Sequence, residues 1–169
     1  FAGGRSGNRG RCAQPCRKQY DSNGVNEYML SLKDMCMLKS LGKLIDAGID
    51  SFKIEGRMKK PEYVAGVVAM YRKYVDLYLS GKKYAVEDKD KVLLMDLYNR
   101  GGFHTGYYYT RNGREMVSLD RPNHAGVPAV KVLKKQGNKV TAKALIPLSA
   151  QDVIELPVRK GKDKADVYT

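Results

Sequence analysis

The chain lacks any uninterrupted apolar run approaching the roughly 20 residues that a bilayer-spanning helix takes, and it carries no charged-then-apolar leader, so a cytoplasmic location without membrane contact is expected. Acidic residues are scarce: 18 Asp and Glu stand against 31 Lys and Arg, a formal net charge of +13. Such an excess favours a polyanionic partner, nucleic acid ahead of a membrane surface, although charge reports on association and not on fold. Cysteine is limited to three residues, an odd number with no regular framework of spacings. That argues against a disulfide-stapled secreted scaffold and fits reduced thiols better. The only histidines, His104 and His124, are not at metal-ligand spacing, and there is no H-E-x-x-H and no serine in a nucleophile-elbow context. A zinc peptidase helix and a serine-hydrolase triad are thereby left without support.

What remains is an ordinary soluble composition, 43% apolar and 29% charged over 169 residues, enough for one core or two small ones. Its most informative stretch is Arg5 to Tyr20, RSGNRGRCAQPCRKQY, where Cys12 and Cys16 sit among Arg5, Arg9, Arg11, Arg17 and Lys18, with no acidic residue before Asp21. Thiols among fixed positive charges deprotonate more easily and become better nucleophiles and metal ligands. The same cations attract phosphate or carboxylate. With Cys36 the chain offers three soft ligands, whereas zinc or an iron-sulfur cluster normally takes four. A radical S-adenosylmethionine pattern would need a third cysteine near Gln19. Metal site, anion site and, for Cys36, an ordinary buried thiol all stay open on spacing alone.

Along the chain, Ser31-Leu32-Lys33-Asp34 resembles a capping box, and Met35, Leu38, Leu41, Leu44 and Ile45 follow at helical spacing up to Gly48. Ser51 to Glu55 alternates as a short strand, with Phe52 and Ile54 on one face, and Gly56 turns the chain. Pro61 opens a second helix with Val64, Val67, Val68, Tyr71, Val75 and Tyr78 as its apolar stripe, closed by Gly81. Asp88 or Asp90 caps a third, through Val92, Leu93, Leu94, Leu97 and Tyr98 to Gly101 and Gly102. Val127 to Leu133 and Lys139 to Ile146 read as a hairpin about Gln136-Gly137-Asn138, Asp152 to Val158 as a further strand, and Arg159 to Lys164 as a charged loop or frayed end. Helix, strand, helix is an α/β rhythm. A lone strand makes no sheet, and the chain opens on Phe1 in a stretch with little hydrophobic periodicity, so a fragment whose sheet partners lie upstream is expected.

Glu55-Gly56-Arg57 lies just past the end of the expected strand, where α/β folds present functional side chains. Glu55 is the candidate acid/base and Arg57 the candidate anion clamp, against the plainer reading of an ion pair pinning the loop. Arg57, Lys59 and Lys60 add to an anion-facing surface. Tyr107, Tyr108 and Tyr109, beside Arg111 and Arg114, offer stacking faces suited to single-stranded RNA, or ordinary core. His124, at a turn into the β-rich segment, reads as structural.

In order, RSGNRGRCAQPCR, SLKDMC, SFKIEGRMKKPEYVAGVV, LYNRGGF and DRPNHAGV resemble the collagenase-like peptidase family U32, over about Gly4 to Val130. The resemblance implies an α/β fold: the C-terminal part of a TIM-type barrel (residues 1–85), a helical connector (86–120) and the start of a small, barrel-like β domain (121–169). Ser51 to Glu55 would be the last barrel strand and Pro61 to Ser80 its outer helix. It implies an oxygen-independent hydroxylase holding a four-iron, four-sulfur cluster on four cysteines, and acting on a cytidine of large-subunit ribosomal RNA or the wobble uridine of transfer RNA, with prephenate as the source of the hydroxyl group. Relatives act on the ubiquinone ring. Cys12 or Cys16 matches the cluster-bearing block and Cys36 is similar to a further ligand, while two more family cysteines lie before the Arg-Ser-Gly-Asn block. Arg5, Arg9, Arg11, Arg17, Lys18, Lys59 and Lys60 would face RNA. The alternatives are a collagenase-like peptidase and a non-catalytic RNA-binding piece.

Overall fold

The computed structural model describes the chain apart from Phe1, Lys83, Asn112, Gln151, 161–163 and Thr169, with side chains through Leu156. Helix and strand are mixed, in two compact units, Phe1–Gly126 and Val127–Thr169.

The first unit opens on three short 3-10 turns, then an antiparallel pair, β1 (Tyr20–Ser22) and β2 (Val25–Glu27). β3 (Asp34–Met35) follows, then a 3-10 turn over Leu38–Ser40 that runs into α1 (Leu41–Asp46). The capped helix start expected at Ser31 to Asp34 is not formed, and the reason is long-range pairing. The Ser31 carbonyl accepts from the Ser118 N–H at 2.7 Å, Lys33 N–H donates to the Met116 carbonyl at 2.7 Å, and Cys36 N–H donates to the His104 carbonyl at 2.9 Å. Two flanking segments thus draw residues 31–36 into extended backbone, and tertiary pairing overrides local propensity. Ser31 Oγ, which would have capped the helix, is buried without a partner among the described residues.

Residues 51–55 keep the expected alternation, Phe52 and Ile54 half-buried against Ser51, Lys53 and Glu55 exposed, but they form no strand because nothing among the described residues pairs with them. α2 (Pro61–Leu79) follows, with Pro61 in its first turn, where a missing N–H is harmless. Its buried face is Val67, Met70 and Tyr74, rotated from the expected stripe, since Val64 and Val68 are exposed. α3 (Asp88–Leu97) packs on α2 through Leu94, while Val92 and Leu93 face outward. Gly66 permits this approach: a methyl group there would collide with the Leu97 side chain. Leu38, Leu41, Val67, Met70, Tyr74 and Leu94 form the core, with Phe52 and Ile54 packed against it. Each fully buried side chain of this kind contributes about 1.5–3 kcal/mol.

β4 (Phe103–His104) pairs with β3 in parallel, Asp34 opposite Phe103 and Met35 opposite His104. In the second unit β5 (Val130–Gln136) and β6 (Lys139–Ala144) make the expected hairpin, with a register shift between Val132 and Lys134, and β7 (Leu156–Lys160) pairs antiparallel with β8 (Lys164–Tyr168). The expected loop at Arg159 to Lys164 is thus strand at Arg159, Lys160 and Lys164, and 161–163 lie outside the described residues. The strands make four two-stranded sheets, and no closed barrel occurs among the described residues. No described helix is long and apolar enough to cross a membrane.

One buried polar knot locks α2 to α3. The Tyr74 hydroxyl donates to Asp90 Oδ2 at 2.6 Å, Lys73 Nζ reaches the same oxygen at 2.6 Å, and Glu87 N–H donates to the Tyr74 hydroxyl. Lys73 first, then Tyr74, hold the Asp90 carboxyl below the usual aspartate range. An Asp90→Ala variant leaves the Tyr74 hydroxyl without its acceptor and is expected to lose about 1–3 kcal/mol in urea denaturation. A carboxylate whose native pKa is depressed stabilises the fold fully above its unfolded pKa, and that contribution drains away as pH falls through the native value. Acid titration of wild type should therefore show a loss of stability below the ordinary aspartate range that Asp90→Asn lacks.

Candidate functional site

The residues singled out by sequence fall in two places. The first is the N-terminal block, which folds on itself. Arg5 donates from Nε to the Arg11 carbonyl at 3.1 Å and from Nη2 to the Cys12 carbonyl at 3.4 Å, so its guanidinium braces the loop. The Tyr20 hydroxyl donates to the Pro15 carbonyl, and Gln14, at φ 53°, points its N–H to Cys12 Sγ at 3.3 Å. Cys12 and Cys16 are exposed, as are Arg9, Arg11, Arg17 and Lys18. Cys36 does not join them. It is half-buried against the core, and desolvation pushes its thiol up despite the opposing Leu38 N–H and the Tyr71 hydroxyl. Tyr71 is itself pushed up to about 12, mainly by burial. Among the described residues no three His, Cys, Asp or Glu side chains converge as a metal site. The thiols suit soft metals in chemistry, but this geometry does not assemble a cluster cage.

The second place is a groove of about 560 Å³ along segment 51–55, whose lining includes Glu55, Lys59, Asp34, Arg100 and Tyr108. Glu55 pairs with Lys53 at 3.0 Å, both exposed. Arg57 stands exposed in the following turn, and neither Arg57 nor Lys60 lines the groove. Arg100 clasps Asp34 with two prongs, Nη2 to Oδ1 at 3.0 Å and Nε to Oδ2 at 3.3 Å, both side chains largely shielded. Burial works against the Arg100 charge, and Asp34 outweighs it. Lys59 Nζ lies 2.6 Å from the Tyr98 ring centroid and 5.6 Å from that of Tyr63. Desolvation first, then Arg100 and Arg17, bring its pKa down to about 8 against the opposing pull of Asp34.

With this geometry established, the model of peptidase family U32 matches residues 1–118. The chain belongs to that family. It is 31% identical to the 23S rRNA 5-hydroxycytidine C2501 synthase of Escherichia coli over 93% of this chain and 26% of that protein. It is 41% identical to tRNA hydroxylation protein P1 of Bacillus subtilis over 51% of the chain and 24% of the relative, and 37% identical to a collagenase of Porphyromonas gingivalis over 61% and 30%. The chain thus spans roughly a quarter to a third of the length of these curated relatives. No solved structure matches it.

Within this U32 chain, sequence reasoning passed over the residues that build the groove. Asn99 is fully buried and fully bonded: Nδ2 donates to the Met95 and Gly126 carbonyls, and Oδ1 accepts from the Gly101 and Gly102 N–H groups. Gly101 and Gly102 adopt φ of 83° and 103°, backbone that favours glycine, and so let the chain wrap Asn99 and present Arg100 to Asp34. The available signal was the run Asn99-Arg100-Gly101-Gly102 itself, a polar pair before two glycines. Both histidines are structural. His104 bridges the Lys33 carbonyl and the Gly106 N–H, and His124 accepts from the Asn99 N–H through Nδ1 while stacking on Tyr98.

Two outcomes follow for chemical probes. An amine-directed acylating reagent followed by peptide mass spectrometry should label Lys59 with a midpoint near pH 8, earlier than lysines at the ordinary value near 10.5. Iodoacetamide applied to the metal-free chain should alkylate Cys12 and Cys16 at least tenfold faster than Cys36, because only the exposed thiols are free of a desolvation barrier.

Proposed function

We propose that the chain is the cysteine-bearing and RNA-facing part of an oxygen-independent RNA hydroxylase, acting on a cytidine of ribosomal RNA or a uridine of transfer RNA. The observation that carries the reading is family membership together with two relatives named for RNA hydroxylation. The groove supports it: its lining includes the Glu55 carboxylate, ion-paired to Lys53, together with Lys59 and the Arg100–Asp34 pair. The exposed cations Arg9, Arg11, Arg17, Lys18 and Lys60 are assigned to the phosphate backbone, with Arg57 beside them as an anion clamp and Arg5 bracing the loop that carries them.

An iron-sulfur cluster belongs to the same proposal, with Cys12, Cys16 and Cys36 as the candidate thiolates. Bound, such a cluster would supply electron transfer or a Lewis-acid iron, and it takes four thiolates. The reading also assigns residues 1–85 to the end of a TIM-type barrel, in which segment 51–55 would find neighbours to pair with. Prephenate as hydroxyl donor and a cytoplasmic location complete it.

The peptidase reading rests on the relatives named collagenase. It needs a nucleophile with an adjacent base or a metal-bound water, and both histidines are engaged by backbone groups. Nucleoside mass spectrometry of ribosomal and transfer RNA from a deletion strain is the deciding measurement. Loss of one hydroxylated pyrimidine, restored by wild type and reduced at least a hundredfold in restoration by Glu55→Gln, supports the hydroxylase. Unchanged RNA together with gelatin hydrolysis abolished by Glu55→Gln would replace it with the peptidase.

A further inference from the structure

Tyr107, Tyr108 and Tyr109 are 68%, 57% and 55% exposed, three consecutive aromatic rings turned to solvent on the loop after β4. Singly exposed aromatics are ordinary, whereas a contiguous run held on a braced loop is a surface with a use. The bracing is specific. His104 ties the loop to the Lys33 carbonyl through Nε2 and receives the Gly106 N–H at Nδ1, and the Tyr109 hydroxyl donates to Ser40 Oγ at 2.7 Å. Lys43 Nζ stands 5.1 Å from the Tyr109 ring centroid, and Tyr108 forms a wall of the groove that holds Glu55, Lys59 and Arg100.

We propose that this loop is a stacking platform for single-stranded RNA, with Tyr108 seating one unstacked base at the mouth of the groove and Lys43 meeting the neighbouring phosphate. The inference rests on the RNA reading above and adds to it the place where the base is held. An aromatic ring recognises any exposed base face, and a base inside a duplex has none to offer. Enzymes that modify a base take it out of its stack, so an exposed ring in the lining of a groove that also carries Asp34, Glu55, Lys59 and Arg100 is placed where an extruded base needs a face. The groove volume lies in the range of small-ligand sites. Charge favours one occupant: Arg100 and Lys53 are met by Asp34 and Glu55, so Lys59 in the groove and the flanking Lys43 supply the positive charge that suits a phosphate-linked strand, in a chain of net charge +13. A neutral collagen-like peptide would offer these cations backbone carbonyls but no negative charge.

The test is fluorescence anisotropy of the full chain with a short labelled pyrimidine RNA, the same strand without bases, and a duplex of equal length. The expected result is tightest binding of the base-bearing strand and a roughly ten- to hundredfold weakening in Tyr108→Ala, down to the level of the abasic strand, with Tyr108→Phe close to wild type. Photocrosslinking of 4-thiouridine RNA to wild type should map to Tyr107 or Tyr108, a measurement that needs no variant to fold. Equal binding of base-bearing and abasic strands, or crosslinks confined to other segments, would overturn the platform and leave the RNA reading standing. No binding of either strand would remove both. A gelatin peptide whose binding is lost in Tyr108→Ala while RNA binding is unchanged would assign the rings to peptide instead.

Discussion

The two-pronged ion pair between Asp34 and Arg100 joins two stretches 66 residues apart, and the arrangement of the groove depends on it. Asp34 belongs to the extended segment that backbone pairing to β4 and to residues 116–118 holds in place, and Arg100 projects from the turn wound around Asn99. A shielded ion pair is weak evidence for stability, since desolvation offsets most of the Coulomb gain. Its contribution here is positional. By accepting both prongs, Asp34 fixes the guanidinium in one orientation, and Lys59, beside the rings of Tyr63 and Tyr98, feels both the anion and the cation.

That setting explains why Lys59 differs from the other lysines of so basic a chain. Surface lysines keep their ammonium in water and hold their charge regardless of neighbours a Debye length away. Lys59 is drawn over an aromatic face, where the ring quadrupole partly replaces water. The replacement is incomplete: burial lowers its pKa more than Asp34 restores it. Tyr98 is itself held by stacking on His124, whose ring nitrogen accepts the Asn99 N–H, so the same buried asparagine positions the arginine and, through the histidine, the ring beneath the lysine.

Local signals of strong periodicity were legible in the sequence. Pro61 and the apolar spacing after it marked α2, and Gly137-Asn138 marked the β5–β6 turn, because both depend on near neighbours alone. The first helix was misplaced for the opposite reason. Ser31 to Asp34 carries the letters of a cap, but its backbone is claimed by residues 104 and 116–118, partners that no local window contains. Glu55 and Lys59 were found from their place after an alternating segment, and the structure brings both to the groove, while Arg57 stays outside it. Asp34 was read only as part of the cap and of a family block, and Arg100 and Asn99 only as letters of a family block, because their roles arise from contacts across the fold. The tyrosine run was legible as aromatic, though not as exposed.

The same distinction bears on the thiols. Clustered positive charge was the argument for an activated cysteine, yet charge acts through space and only on what solvent leaves uncovered. Cys36 shows the limit: Lys39 and Lys91 favour its thiolate, but desolvation is the larger effect and drives the thiol the other way. Cys12 and Cys16 lie in open loop, whereas Cys36 is packed into the helical layer. Proximity to the basic block therefore divides the three cysteines by environment. A ligand set that included Cys36 alongside Cys12 or Cys16 would have to draw it away from Tyr71 and the core it packs against, a rearrangement that the exposed pair does not require.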